Sequence, residues 1–280
     1  MRLHRVCGNS REARTLHPYT QLHLNSEIGL SSSLLTHPVS RRDYHSLMAT
    51  SAPHYTSEAL KFLRGLKRNN DREWFNARKA IYEREVKAPT QAIVAAINEA
   101  MLRFAPENVQ PPQKATFRIY RDIRFSSDKK PYKTHQGAWW ARSGLEKTSG
   151  GGFYFHVGPD EVVVAAGVYM PEREQLLAIR RHIEANHAEM RKLLKSKKLL
   201  SLLNEWDGNK LTRPPKGFAP DSPAADLILN RQWGFSARLP ADHATKPTLV
   251  KEITKRFEAA APLVAFLNQP LAPKSRKPLF

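Results

Sequence analysis

Along residues 57–104 the apolar positions recur every three or four residues, the period of helices that each bury one stripe. Leu60, Leu63 and Leu66 mark the first run, with Ser57 expected as its N-cap and Asn69-Asn70 as its stop. Asp71 is placed to cap the next, in which Trp74, Ile81, Tyr82 and Val86 share a face. Pro89 lacks an N–H and is expected to break or restart the helix. Ile93, Ile97, Met101 and Phe104 then line a third run, up to a proline-rich turn at 106–112. The period changes at Phe117. FRIYRDIRF, HQGAWWARS, GGFYFHV and EVVVAAGVY have strand length, and the Gly158-Pro159-Asp160 turn predicts antiparallel pairing of the last two. GLEKTSGGG, residues 144–152, reads as a flexible connection.

Helical spacing returns after Pro171, with Leu176, Ile179, Ile183, His187, Met190 and Leu194 in one stripe and Leu199 to Leu203 continuing helical. A proline-rich loop follows, then a short helix AADLILN, an edge strand GFSARL, and an amphipathic helix through Leu249, Ile253, Phe257 and Val264. Helices, then strands, then helices is the order of an α+β fold, with a central antiparallel sheet flanked by N- and C-terminal helices. Residues 48–270 are expected to form it as a single domain, followed by a loose basic tail at 271–280.

Residues 1–47 are a different text. They hold six arginines, three acidic residues and no lysine, five of the eleven histidines, and no sustained periodicity. Three readings stay open: an organellar transit peptide, a disordered basic arm, or a mis-assigned start with translation beginning at Met48. The last is preferred. A cytoplasmic location is expected, with organellar import through residues 1–47 as the alternative.

The net charge of +19 changes the picture more than the overall composition does. Removing residues 1–47 leaves +16, so the surplus belongs to the domain and favours anionic partners, whether small phosphorylated molecules or nucleic acid. No run approaches the roughly 18 apolar residues of a membrane-spanning helix. Cys7 is the only cysteine, which excludes an internal disulfide and cysteine-built zinc sites and disfavours a catalytic thiol.

The charge concentrates in FRIYRDIRFSSDKKPYKT, residues 117–134. As a strand, Phe117, Ile119, Arg121, Ile123 and Phe125 would face the core, with Arg118, Tyr120, Asp122 and Arg124 on the other face. A guanidinium in the middle of a core face must meet a carboxylate, a row of carbonyls or a bound anion. Asp122 stands between Arg118 and Arg124, which keep it ionised and make it an orienter of guanidinium groups rather than a base. Two functions fit: a bidentate anion site of Arg118, Arg121, Asp122 and Arg124 with Lys129, Tyr132 and Lys133 at its rim, or an internal salt-bridge network.

The pattern Arg118-x-x-Arg121-Asp122-x-Arg124-Phe125, followed by Asp128-Lys129-x-Pro131-Tyr132-Lys133, resembles the signature of the family called domain of unknown function 2461. Phe62-Leu63, Asn69-Asn70, Trp74-Phe75, Gly151 to Phe155, and Pro215-Lys216-Gly217-Phe218 are similar to that family too. The resemblance runs from Ser57 to the C-terminal helix. It implies a domain of about the length of residues 48–280, and it implies no activity.

Other signals are missing. There is no G-x-G-x-x-G or P-loop, no G-x-S-x-G and no H-E-x-x-H. His182 and His187 are five apart and off one helical face, so no metal or cofactor is expected. His135 and His156 fall on the sheet, where they could meet the arginines. Trp139 and Trp140 could stack on bases, as an RNA-binding strand does. The expectation is a binder of phosphate-bearing or other anionic ligands, an enzyme if the arginines stabilise developing charge. The alternatives are a non-enzymatic nucleic-acid-binding module and a structural domain.

Overall fold

The computed structural model describes residues 51–144 and 150–271. Residues 1–47 and most of the tail lie outside them, as does the middle of the 144–152 connection. The described residues fall in one compact unit. Helix α1, Ser57–Arg68, is capped one residue earlier than expected: the Thr56 hydroxyl accepts from the Ala59 N–H at 3.2 Å, so Ser57 is already helical. Asp71 caps α2, Arg72–Asn76, accepting from the Trp74 N–H at 2.8 Å. Pro89 does not break the chain's helical course. Tyr82–Lys87 widens into π-helix, and α3, Ala88–Met101, resumes with Pro89 in its first turn, where no N–H is needed.

Among the described residues five strands form one antiparallel sheet. They are β1 (Gln136–Ala141), β2 (Gly151–Val157), β3 (Glu161–Val168), β4 (Glu205–Asp207) and β5 (Trp233–Pro240), in the order β1-β2-β3-β5-β4. The expected edge strand is therefore an inner one: β5 pairs with β3 along its whole length, and the short β4 takes the edge. Between β3 and β4 come α4 (Arg173–Ala185), α5 (His187–Leu194) and α6 (Lys197–Leu202). The single stripe expected there is split at Asn186, whose side chain donates to the His182 carbonyl at 2.9 Å and ends α4. After the proline-rich loop come α7, Ala225–Ile228, and, beyond β5, α8, Leu249–Asn268.

Strand alternation gives the sheet two unlike faces. Trp140, Phe153, Phe155, Val164, Trp233 and Ala237 point to one side and are buried. There α8 packs across β2 and β3, with the Phe257 ring 5.4 Å from Trp140 and 5.1 Å from Phe153, and α3 lies beside it. Asn268 ties the end of α8 to the start of β2 by accepting from the Gly151 N–H at 2.7 Å and donating to its carbonyl at 2.9 Å. The opposite face carries Trp139, Tyr154, His156, Ala165 and Ser236, all half-buried. No helix among the described residues is long and apolar enough to cross a membrane.

Candidate functional site: the open sheet face and the arginine hairpin

The segment 117–134 is not a strand of the sheet. Its first leg touches β1 through a bridge between Thr116 and Ala138 and the bond from the Phe117 N–H to the Gly137 carbonyl, 2.9 Å. It then folds into a hairpin with its own return leg: Tyr120 bridges Tyr132, the Arg121 N–H reaches the Pro131 carbonyl at 2.9 Å, and the Lys133 N–H reaches Ile119 at 2.8 Å. Of the face expected in the core, Ile119 is buried, Phe117 and Ile123 are half-buried, and Phe125 is 96% exposed. The expected burial fails past Ile119 because the hairpin leaves the sheet there.

Helical residues anchor the hairpin base. The Tyr132 ring stacks on Phe75 at 4.1 Å, inside a cluster with Phe62 and Tyr82. Asn70 holds the Tyr132 backbone at both ends, donating to its carbonyl and accepting from its N–H, each at 3.0 Å. The Tyr82 hydroxyl donates to Gln136 Oε1 at 3.1 Å, and Gln136 Nε2 donates to the Phe117 carbonyl at 2.6 Å. The two legs are thus pinned to the domain through Asn70, Tyr82 and Gln136.

The charged tip is largely self-paired. Arg121 meets Asp128 at 2.7 Å and the Lys130 carbonyl at 3.2 Å, satisfying a guanidinium whose side chain is 26% exposed. Arg124 grips Asp122 with two bonds, 3.0 and 2.8 Å, which with neighbouring Arg118 hold the Asp122 carboxyl down at about 2. Lys129 Nζ donates to the Ile123 carbonyl at 3.1 Å. Arg118 is exposed beside Asp122. Of the seven residues singled out in the sequence, Arg118, Asp122 and Arg124 come together at the tip, Arg121 and Lys129 brace the turn, Tyr132 is buried in the aromatic cluster, and Lys133 alone lines the cavity described next.

That cavity lies on the open face of the sheet and encloses about 730 Å³. One wall is Phe117, Lys133 and His135 at the hairpin base, with the Lys133 ammonium 4.8 Å from the centre of the Phe117 ring. Trp139, Tyr154 and Ala165 form the floor with Gly234, and Gln232, Ser236 and Asp207 close the far side. Tyr169 and Met170 form a rim that is 61% and 69% exposed. Met170 holds φ at +48°, left-handed backbone that a side chain adopts at a cost of about 1–3 kcal/mol.

The titratable groups on this wall are kept neutral. The Tyr154 hydroxyl lies 2.9 Å from His156 Nδ1, and the His156 ring is 4.5 Å from that of His135. Burial, then the neighbouring His135 and Arg238, push His156 down to about 3. Burial and Lys133 lower His135, and burial lifts the Tyr154 phenol to about 12. The fixed positive charge on the cavity wall is therefore that of Lys133. Asp207 of β4, Ser236 of β5 and Gln232 just before β5 were missed in the sequence. Only tertiary pairing brings them opposite Lys133, and no local spacing announces it.

Residues 58–266 match the family described as Conserved hypothetical protein (DUF2461). The chain belongs to that family. Within the matched range, Asn70 and Tyr132 are bonded partners. No curated protein matches the chain.

Proposed function

We propose that this member of the family binds a small molecule carrying a phosphate or other anionic group. Its body would lie in the open-face cavity, and its anion would be drawn to the hairpin wall by Lys133, with Arg118 beyond. The observation that carries this reading is the cavity itself. At about 730 Å³ it falls in the size range of small-ligand sites, its lining is mainly apolar and aromatic, and a cation stands on one wall. Arg121, Arg124, Asp122 and Asp128 serve chiefly to shape the turn, because each already has its partner. Tyr132 acts from beneath, by fixing the leg that presents Lys133.

The test is the thermal stability of the full chain with inorganic phosphate, sugar phosphates, nucleotides, and short DNA and RNA, at low and moderate salt. A ligand that binds only the folded state raises the melting temperature. A small phosphate compound is expected to do so at both salts and to lose most of its effect with Lys133→Met. Stabilisation by any polyanion that disappears with salt would instead support nucleic-acid binding through scattered cations.

A further inference from the structure

The far side of the cavity carries its polar groups. Gln232 is only 5% exposed, lines the cavity, and its carboxamide makes no hydrogen bond to any described residue. Its amide atoms are not among the fully buried unpartnered polar atoms of the described residues, so they reach the solvent that fills the cavity. Beside it stand the carboxylate of Asp207, which pairs with no described cation, and Ser236, whose hydroxyl donates to Glu205 at 3.1 Å and so leaves its oxygen able to accept.

The floor between this polar side and Lys133 follows the strand register. Trp139, Tyr154, Ala165 and Ser236 stand in one register row across β1, β2, β3 and β5. In the next row the Trp139 indole lies against Gly152, and Gly234 leaves its place on the floor empty. The nearest heavy atoms to a Cβ built on Gly234 are 3.9 Å away. Ala165 and Gly234 in the middle of the floor, Trp139 and Tyr154 beside them, and an amide at the edge that bonds to no described residue suit a flat polar ring. An alkyl tail would leave Gln232 unpaired.

We infer that the ligand's body is a planar heteroaromatic ring lying over Ala165 and Gly234, with its donor and acceptor edge met by Gln232 and Asp207 and its anionic group toward Lys133. This rests on the reading of the cavity as the site of an anion-bearing small molecule, and it names the class: a nucleotide-like compound, ring at the β4–β5 side and phosphate at the hairpin side. Gln232 supplies both a donor and an acceptor, and Asp207 an acceptor, so the ring must carry at least one N–H beside a ring nitrogen or carbonyl.

The experiment is equilibrium titration of the full chain with adenosine, guanosine and uridine monophosphates, ribose 5-phosphate, inorganic phosphate, free nucleobases and dodecanoate. It is repeated on Gln232→Met and Gly234→Leu. At least one nucleotide is expected to bind about tenfold or more tighter than ribose 5-phosphate, and to lose about tenfold with Gln232→Met, which removes the amide bonds while keeping the volume. Gly234→Leu should abolish binding by filling the floor.

Ribose 5-phosphate binding as tightly as the nucleotides, unchanged by Gln232→Met, would overturn the ring and leave the anion site standing. Dodecanoate binding that Gly234→Leu removes, with nucleotides silent, would overturn it in favour of an apolar tail. Free bases binding without help from phosphate would keep the ring and sink the anion reading, and silence across the panel would sink both. Should Gln232→Met fail to fold, the comparison of ring with ringless phosphate and the Gly234→Leu variant decide.

Discussion

Asn70→Ala separates the hairpin from its anchor with the least disturbance elsewhere. Asn70 is half-buried and spends its whole side chain on one residue, two bonds of 3.0 Å to the backbone N–H and carbonyl of Tyr132. A net hydrogen bond is worth about 0.5–1.5 kcal/mol, and an orphaned, partly buried group costs at the upper end of that range. Two lost bonds, with some water entering, therefore predict about 2 kcal/mol. For a domain of this size that is a fall in Tm of about 4–8 °C. Chemical and thermal denaturation followed by circular dichroism measure it. Asn70→Asp is the control: its carboxylate still accepts from the N–H but faces the Tyr132 carbonyl with no donor, so the loss should equal or exceed that of alanine at neutral pH. Because the bonds are to backbone, Tyr132→Phe should leave the Asn70→Ala loss unchanged. A loss under about 0.5 kcal/mol would refute the reasoning, by showing that water replaces the side chain without cost.

Other consequences are as direct. Gly167 sits at φ +133°, and a Cβ there would collide with the Trp233 carbonyl, so Gly167→Ala should cost about 3 kcal/mol or more by denaturant titration, while Gly234→Ala should be close to neutral. Asn268→Ala leaves both backbone groups of Gly151 orphaned in a buried place, and a loss of about 2–4 kcal/mol is expected. His156 is pushed down to about 3, so its contribution to stability is complete above the ordinary histidine value of 6.5. As pH falls below that, only the unfolded imidazole takes a proton, and stability is lost at up to about 1.4 kcal/mol per pH unit until about 3. His156→Gln should flatten the fall of Tm between about pH 6 and 4.

The periodic parts of the chain were readable as written. Leu60, Leu63 and Leu66 repeat at helical spacing because α1 buries one stripe, and GGFYFHV and EVVVAAGV pair because a three-residue turn leaves no other geometry. What local pattern misjudged was placement. Phe117 to Phe125 alternates like a strand, yet its pairing is spent on its own return leg, so Phe125 ends in solvent rather than in the core. GFSARL looked like an edge because its neighbour β4, three residues long, has no sequence signature of its own. The charge pattern led to the hairpin, of whose singled-out residues Lys133 lines the cavity. Pairing of Arg121 with Asp128 and Arg124 with Asp122 shows why counting cations overstates what is left for a ligand, and Gln232 could be found only once β5 was laid beside β3.

Amide chemical-shift mapping of the full chain with inorganic phosphate and ribose 5-phosphate, at low and moderate salt, tests the central claim most directly. The account predicts saturable shifts centred on Lys133, His135, Ala165 and Ser236 that persist at both salts. Shifts scattered over exposed lysines and arginines, or confined to the 118–130 tip and erased by salt, would contradict it.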